Sequence, residues 1–234
     1  MGVPSSSAHD GRSAAAREMV RVCRRLHEAG LVAGQDGNVS VRLAGGSLLV
    51  TPAGASKVDV TEDDLVEVSL NGAHLAGHRE ASSELGMHLA VYAVRPDVTA
   101  VVHAHPPVAT GLGVAGLDLM SDVLPESIFH LGAVPLVPYA QPGTPALARA
   151  MEPFLAHHDA FLLAHHGATT VGPSLLLAHQ RMESLEHAAR ILAAAHAFGG
   201  VNELPPGAGN ALRAARNAAV NRRKQSGGMS GEKE

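Results

Sequence analysis

Val98-Thr99-Ala100-Val101-Val102-His103-Ala104-His105, bounded by Pro96-Asp97 and Pro106-Pro107, is the stretch that organises this chain. A run this rich in β-branched residues between prolines predicts a short buried strand. Side chains at i and i+2 of a strand leave the same face, so the two imidazoles point the same way. Two neutral imidazoles so placed form half of a zinc or manganese site and need one or two further ligands. Glu84 upstream and His165-His166-Gly167 downstream, after a second apolar run from Ala160 to Ala164, both offer them. The competing reading of His103-Ala104-His105 is a polar strand edge, since polar residues commonly alternate there.

Around this centre the chain alternates strands and helices. A helix is expected from Ser13, a capping residue, to Ala29, stopped by Gly30. Gly37-Asn38 forms a turn into an alternating strand, and the side-chain amide of Asn38 can donate to a ligand oxygen. A hairpin partner follows at Ser47 to Val50. Thr51 to Lys57 is a small-residue loop whose amides can cradle an anion. Thr61 to Asp64 reads as a short helical turn, and Leu65 to Leu70 as a strand ending at Asn71-Gly72. Ala81-Ser82-Ser83-Glu84 opens a helix reaching Val94, and its hydroxyls and free N–H groups suit a phosphate.

Further on, Pro107 to Val114 is expected to be helical, Val123 to His130 mixed, and Val134 to Tyr139 a strand. Pro145 to His157 is a helix, Ala160 to Ala164 and Gly167 to Val171 are strands, and Ser174 opens a long helix through Ala197. These elements predict an α/β fold: a three-layer α/β/α sandwich around a mixed, largely antiparallel sheet. One domain spans 13–200, flanked by a disordered N-terminus, 1–12, and a partly disordered C-terminal tail, 201–234, with a short helix near Ala211 to Asn221.

Composition excludes several classes. A net charge of -4 with 3% aromatic residues and no Trp gives neither a basic stripe nor stacking platforms for nucleic acid. No apolar run approaches the roughly 20 residues of a membrane span. The single cysteine, Cys23, cannot form an internal disulfide, and Met1 to Arg12 lack a signal-peptide core, so a cytoplasmic location is expected. Fifteen histidines leave metal chemistry as the sharpest question.

Gly37-Asn38-Val39-Ser40, Ser82-Ser83-Glu84, Arg95-Pro96-Asp97 running into His103-Ala104-His105-Pro106, and Leu162-Leu163-Ala164-His165-His166-Gly167 together resemble the class II aldolase/adducin family, its fuculose-1-phosphate aldolase branch above all. The resemblance implies a zinc-dependent lyase, with manganese or another divalent metal possible, that is a homotetramer with active sites between subunits. It implies His103, His105 and His166 as metal ligands and Glu84 as general acid/base. Asn38, Gly54, Ser82 and Ser83 match the phosphate-binding positions. The implied substrate is a phosphorylated sugar, a ketose 1-phosphate cleaved to dihydroxyacetone phosphate and an aldehyde. Relatives in the superfamily put the same enediolate chemistry to decarboxylation or dehydration of a sugar acid or sugar phosphate.

The substrate wall departs from that pattern. Gln35 and Ala53 stand where the fuculose-phosphate enzyme has threonines, Leu124 where it has a catalytic tyrosine, and Pro142 where it has a phenylalanine. Glu126, Tyr139 and Gln141 fall in this altered region and are candidates for substrate contacts or for structural roles.

Overall fold

The computed structural model describes residues 6–228. Its centre is an eight-stranded sheet in the order β4-β3-β2-β1-β5-β8-β7-β6. In chain order the strands are β1 (Asn38–Arg42), β2 (Leu48–Val50), β3 (Val66–Val68), β4 (His74–Ala76), β5 (Ala100–Ala104), β6 (Leu136–Val137), β7 (Ala160–Leu163) and β8 (Gly167–Gly172). Every pairing is antiparallel except β6 with β7, so the sheet is mixed and largely antiparallel as expected.

Helices cover both faces. They are α1 (Ser6–Glu28), α2 (Leu85–Val94), α3 (Pro107–Val114), α4 (Pro125–His130), α5 (Pro145–Leu155), α6 (Leu175–Ala197) and α7 (Ala208–Gly228). The period-2 rule sorts the strand side chains between the two cores. Ala100, Val102 and Ala104 of β5, with Ala160 and Leu162 of β7, pack under α1 and α6. Val101, Phe161, Leu163 and Val171 pack on the other face against Met87, Val91 and Tyr92 of α2 and Leu147 and Met151 of α5. By the same alternation His103 lies on the α2 face, two residues after Val101. The stripe Ala16, Met19, Val20, Cys23 and Leu26 is buried, as the helical spacing of α1 requires, while Arg21, Arg24 and Arg25 face solvent.

Several expectations need correction. The N-terminal segment 1–12 is not all disordered: α1 starts at Ser6 rather than Ser13, and Arg12 is tied by its Nε to Glu67 Oε2 at 3.4 Å. Residues 1–5 lie outside those described. The tail 201–234 carries a longer helix than Ala211 to Asn221, because α7 is docked by ion pairs the sequence does not announce. Arg213 pairs with Asp122 at 2.5 Å and Arg216 with Asp159 at 2.5 Å, and Asp159 also receives Arg95 and Arg181. Residues 229–234 are again outside those described.

Helix α2 begins at Leu85, with Ser82 and Ser83 forming the turn before it. The mixed segment 123–130 contains the helix α4, started by Pro125 at a position where its missing N–H is no loss. The strand expected from Val134 to Tyr139 shrinks to Leu136–Val137, because it pairs only with β7 and ends at Pro138. The edge strand β4 was not expected: three exposed residues carry no alternation to detect.

Candidate metal and acid-base site

Three neighbouring strands set the site. In register, Asn38 of β1 lies opposite His103 of β5, and His103 opposite Thr169 of β8. His166 is supplied by the turn His165-His166 that joins β7 to β8, where Leu163 pairs with Gly167. His105 follows the end of β5, its backbone N–H bonded to Leu31 O. Glu84 stands at the start of α2. The sequence order 38, 84, 103, 105, 166 thus collapses to one point.

The rings of His103, His105 and His166 are 4.7–5.1 Å apart, centroid to centroid. Each offers a ring nitrogen, and all three lie within 4.8 Å of one another. His103 Nδ1 is 2.9 Å from Ala168 O, so in the neutral ring it carries the proton and donates to that carbonyl. The lone pair on Nε2 then faces inward, 3.1 Å from His105 Nε2 and 3.2 Å from Glu84 Oε2. Glu84 Oε1 is 3.1 Å from His166 Nε2 but has no hydrogen bond among the described residues, although it is buried. Acceptor atoms turned on one another at these distances call for positive charge between them. A divalent cation held by imidazoles meets that need, and the residues present fit one. His105 Nδ1 lies 3.3 Å from Asp36 Oδ2, which can fix that ring's orientation.

Burial opposes ionisation of Glu84, yet without a metal His103 and His166 outweigh it when protons on their Nε2 atoms face the carboxylate, and hold its carboxyl well below the ordinary carboxylate range. Burial, with His103 and His166 nearby, depresses His105 to about 4. An uncharged His105 is the form that can bind a metal.

Behind the carboxylate runs a chain of oriented hydrogen bonds that the sequence reading missed. Asn38 Nδ2 donates to Glu84 Oε2 at 2.8 Å, and its Oδ1 accepts from His88 Nε2 at 2.5 Å. His88 Nδ1 accepts from Ser40 Oγ at 2.6 Å, and the Tyr92 hydroxyl lies 2.9 Å from Ser40 Oγ. The protons of Ser40 Oγ, His88 Nε2 and Asn38 Nδ2 all point towards Glu84, an arrangement that polarises the chain to hold an anion, while the Tyr92 hydroxyl donates to Ser40 O at 3.0 Å. It requires a neutral His88, whose pKa burial lowers to about 3. Two periodicities carried the signal: His88 is one helical turn beyond Glu84, and Ser40 is two residues along the strand from Asn38.

The expected phosphate positions are partly assembled. Ser82 N donates to Thr51 O and Ala53 N to Glu80 O, which brings the Gly54 loop alongside the Ser82-Ser83 turn. Asn38 is different, because its side-chain amide is engaged by Glu84 and His88 rather than left free for a ligand. Of the wall candidates, Tyr139 is exposed with its ring 6.3 Å from that of His165, and Glu126 is in the first turn of α4. The loop containing Gln141 passes Ser83: a Cβ on Gly143 would lie 3.7 Å from Ser83 O. His165 itself sits at φ 56°, the one non-glycine residue in the left-handed region among those described, and is exposed.

Gly167 makes the convergence possible. A Cβ there would lie 2.5 Å from Ala104 O and 2.6 Å from His105 Cδ2. Gly167→Ala is therefore expected to lower stability by about 2–3 kcal/mol in urea melts, as overpacking does, and to weaken metal binding by displacing His105. Wild-type stability with wild-type metal affinity would show that the turn has room to spare.

Comparison with known proteins places the chain in a family. The sequence profile of the family described as "Class II Aldolase and Adducin N-terminal domain" matches residues 17–193. A 3-oxo-tetronate 4-phosphate decarboxylase of Pectobacterium atrosepticum is 33% identical over 195 residues, covering 82% of this chain and 88% of that protein. An L-fuculose phosphate aldolase of Methanocaldococcus jannaschii is 30% identical over 175 residues, covering 75% and 93%. Among solved structures, YgbL from Escherichia coli, a candidate aldolase, epimerase or decarboxylase, superposes with a TM-score of 0.81 at 33% identity, covering 86% of this chain and 99% of that one.

Proposed function

Because the chain belongs to the class II aldolase and adducin family, we propose that it is a divalent-metal-dependent lyase that decarboxylates a phosphorylated 3-oxo sugar acid. In this reading His103, His105 and His166 hold the metal and Glu84 is the acid/base. Ser82, Ser83 and the Gly54 loop receive the phosphate, and Asn38 orients Glu84. When bound, a divalent cation supplies a Lewis acid for the oxo and hydroxyl oxygens of the substrate. Zinc is the first candidate on the donor set, and manganese or another divalent metal is the alternative.

Leu124 carries the choice of reaction. Loss of the carboxyl group as carbon dioxide leaves its bonding electron pair on the substrate as an enediolate. Glu84 then delivers to carbon the proton that replaces the carboxyl group, having taken it up from water. Retro-aldol cleavage of a ketose 1-phosphate breaks a different carbon-carbon bond to reach the same three-carbon enediolate. It also needs a group to take the hydroxyl proton of the departing aldehyde. At the position where the resemblance places a tyrosine for that task, Leu124 caps α4 with a hydrocarbon side chain. Decarboxylation needs no such group. Aldol cleavage is the second reading, favoured by the likeness to L-fuculose phosphate aldolases.

The test is product analysis with protein loaded with zinc or manganese. From 3-oxo-tetronate 4-phosphate, one carbon dioxide per dihydroxyacetone phosphate is expected. From fuculose 1-phosphate, little or no lactaldehyde is expected. Lactaldehyde without carbon dioxide would reverse the assignment. Among the described residues no helix is long and apolar enough to cross a membrane. From the family resemblance, we also propose a cytoplasmic homotetramer.

A further inference from the structure

Lys57 is 2% exposed, and its volume puts it among the largest fully buried side chains. It lies between two loops, an exposed one at 33–36 and a mostly buried one at 51–56. Its Nζ donates to Gln35 O at 3.0 Å in one and to Ala55 O at 2.6 Å in the other. Burial lowers the pKa of this amine, opposed by Cys23 and Asp36. An ammonium in such a place is a poor way to gain stability, since a methionine would fill similar volume without desolvating a charge. What Lys57 adds is a connection.

The first loop carries Asp36, against His105, and leads into Asn38, which holds Glu84. The second carries Gly54 at φ 63°, where a Cβ would lie 3.7 Å from Gln35 Oε1. That second loop is stitched to the Ser82-Ser83 turn through Thr51 O and Glu80 O. We propose that Lys57 is a positioning residue that locks the anion-binding loop to the loop orienting Glu84 and His105, so that capture of the substrate's phosphate and alignment of the acid/base share one clamp. The proposal rests on the phosphorylated-substrate reading above. Lys57 touches backbone carbonyls, not substrate, so its effect passes through the loops.

The probe is inorganic phosphate titrated calorimetrically into metal-loaded protein, with KM and kcat for the phosphorylated substrate measured beside it. Lys57→Met, confirmed folded by circular dichroism, is expected to weaken phosphate binding about 10-fold, the size of one lost charge-assisted hydrogen bond. KM should rise in parallel, with metal stoichiometry unchanged. Lys57→Gln, which keeps a donor for one carbonyl, should fall between the two and serves if the methionine variant does not fold. A residue that merely filled space would lower the melting temperature and leave phosphate affinity and KM alone. That result, in either folded variant, overturns the proposal. Failure of the unaltered protein to bind phosphate would instead overturn the phosphorylated-substrate reading, and this clamp with it.

Discussion

His166→Ala is expected to strip the metal from the protein and take the activity with it. Loss of a partner that only orients a ligand weakens metal affinity by 10–100-fold, and loss of a ligand should exceed about 100-fold. His166 is the best of the three imidazoles for this experiment. Its Nδ1 has no hydrogen-bond partner among the described residues, whereas His103 Nδ1 serves Ala168 O deep in the sheet. Truncation at His166 therefore removes a donor atom without orphaning a buried carbonyl. Elemental analysis after dialysis should fall from about one metal per chain to a small fraction, with the melting curve of metal-free protein little changed. Full metal retention would mean that the imidazole cluster is not the binding site.

Glu84→Gln is expected to divide binding from chemistry. Glutamine keeps the size and one acceptor oxygen, so the three imidazoles should still hold their cation. Glutamine cannot carry a proton to carbon, and positioned acid/base groups contribute about 10²–10⁴ in rate. A fall in kcat of about 10³-fold at unchanged metal stoichiometry is the expected result. The structure gives a reason for the effect to be large. The relay Ser40–His88–Asn38 ends on this carboxylate. An amide at position 84 can present its NH₂ group to the Asn38 NH₂, donor against donor. Turnover within about threefold of wild type would remove Glu84 from the proton-transfer role assigned to it.

How much of this was visible in the residues follows from the range of each interaction. The α2-facing side of β5 was legible because a strand has period two and Val101 and His103 obey it. The convergence of His166 and Glu84 on that strand was available only through resemblance to a family, since no local pattern states which turn returns to which strand end. Ser40 and His88 carried their signal in spacing, but a serine in a strand and a histidine in a helix are too common to stand out. Lys57 was hidden more deeply. Its loop reads as small and flexible, and nothing in Ala55-Ser56-Lys57 says that the ammonium turns inward. The length of α7 depends on Arg213 and Arg216 finding Asp122 and Asp159, pairs separated by 91 and 57 residues. Pairing at that distance is a property of the finished fold.

The lateral row Asn38–His103–Thr169 has a kinetic corollary. Its members come from strands that meet only after long loops close: His103 reaches Thr169 across 66 residues, and Glu84, at the start of α2, reaches Asn38 across 46. A nascent chain thus presents no preformed nest for an ion, and the cation arrives as a late clasp on a sheet already zipped. Metal should then act mainly by retarding escape from the native state, leaving the speed of reaching it nearly untouched.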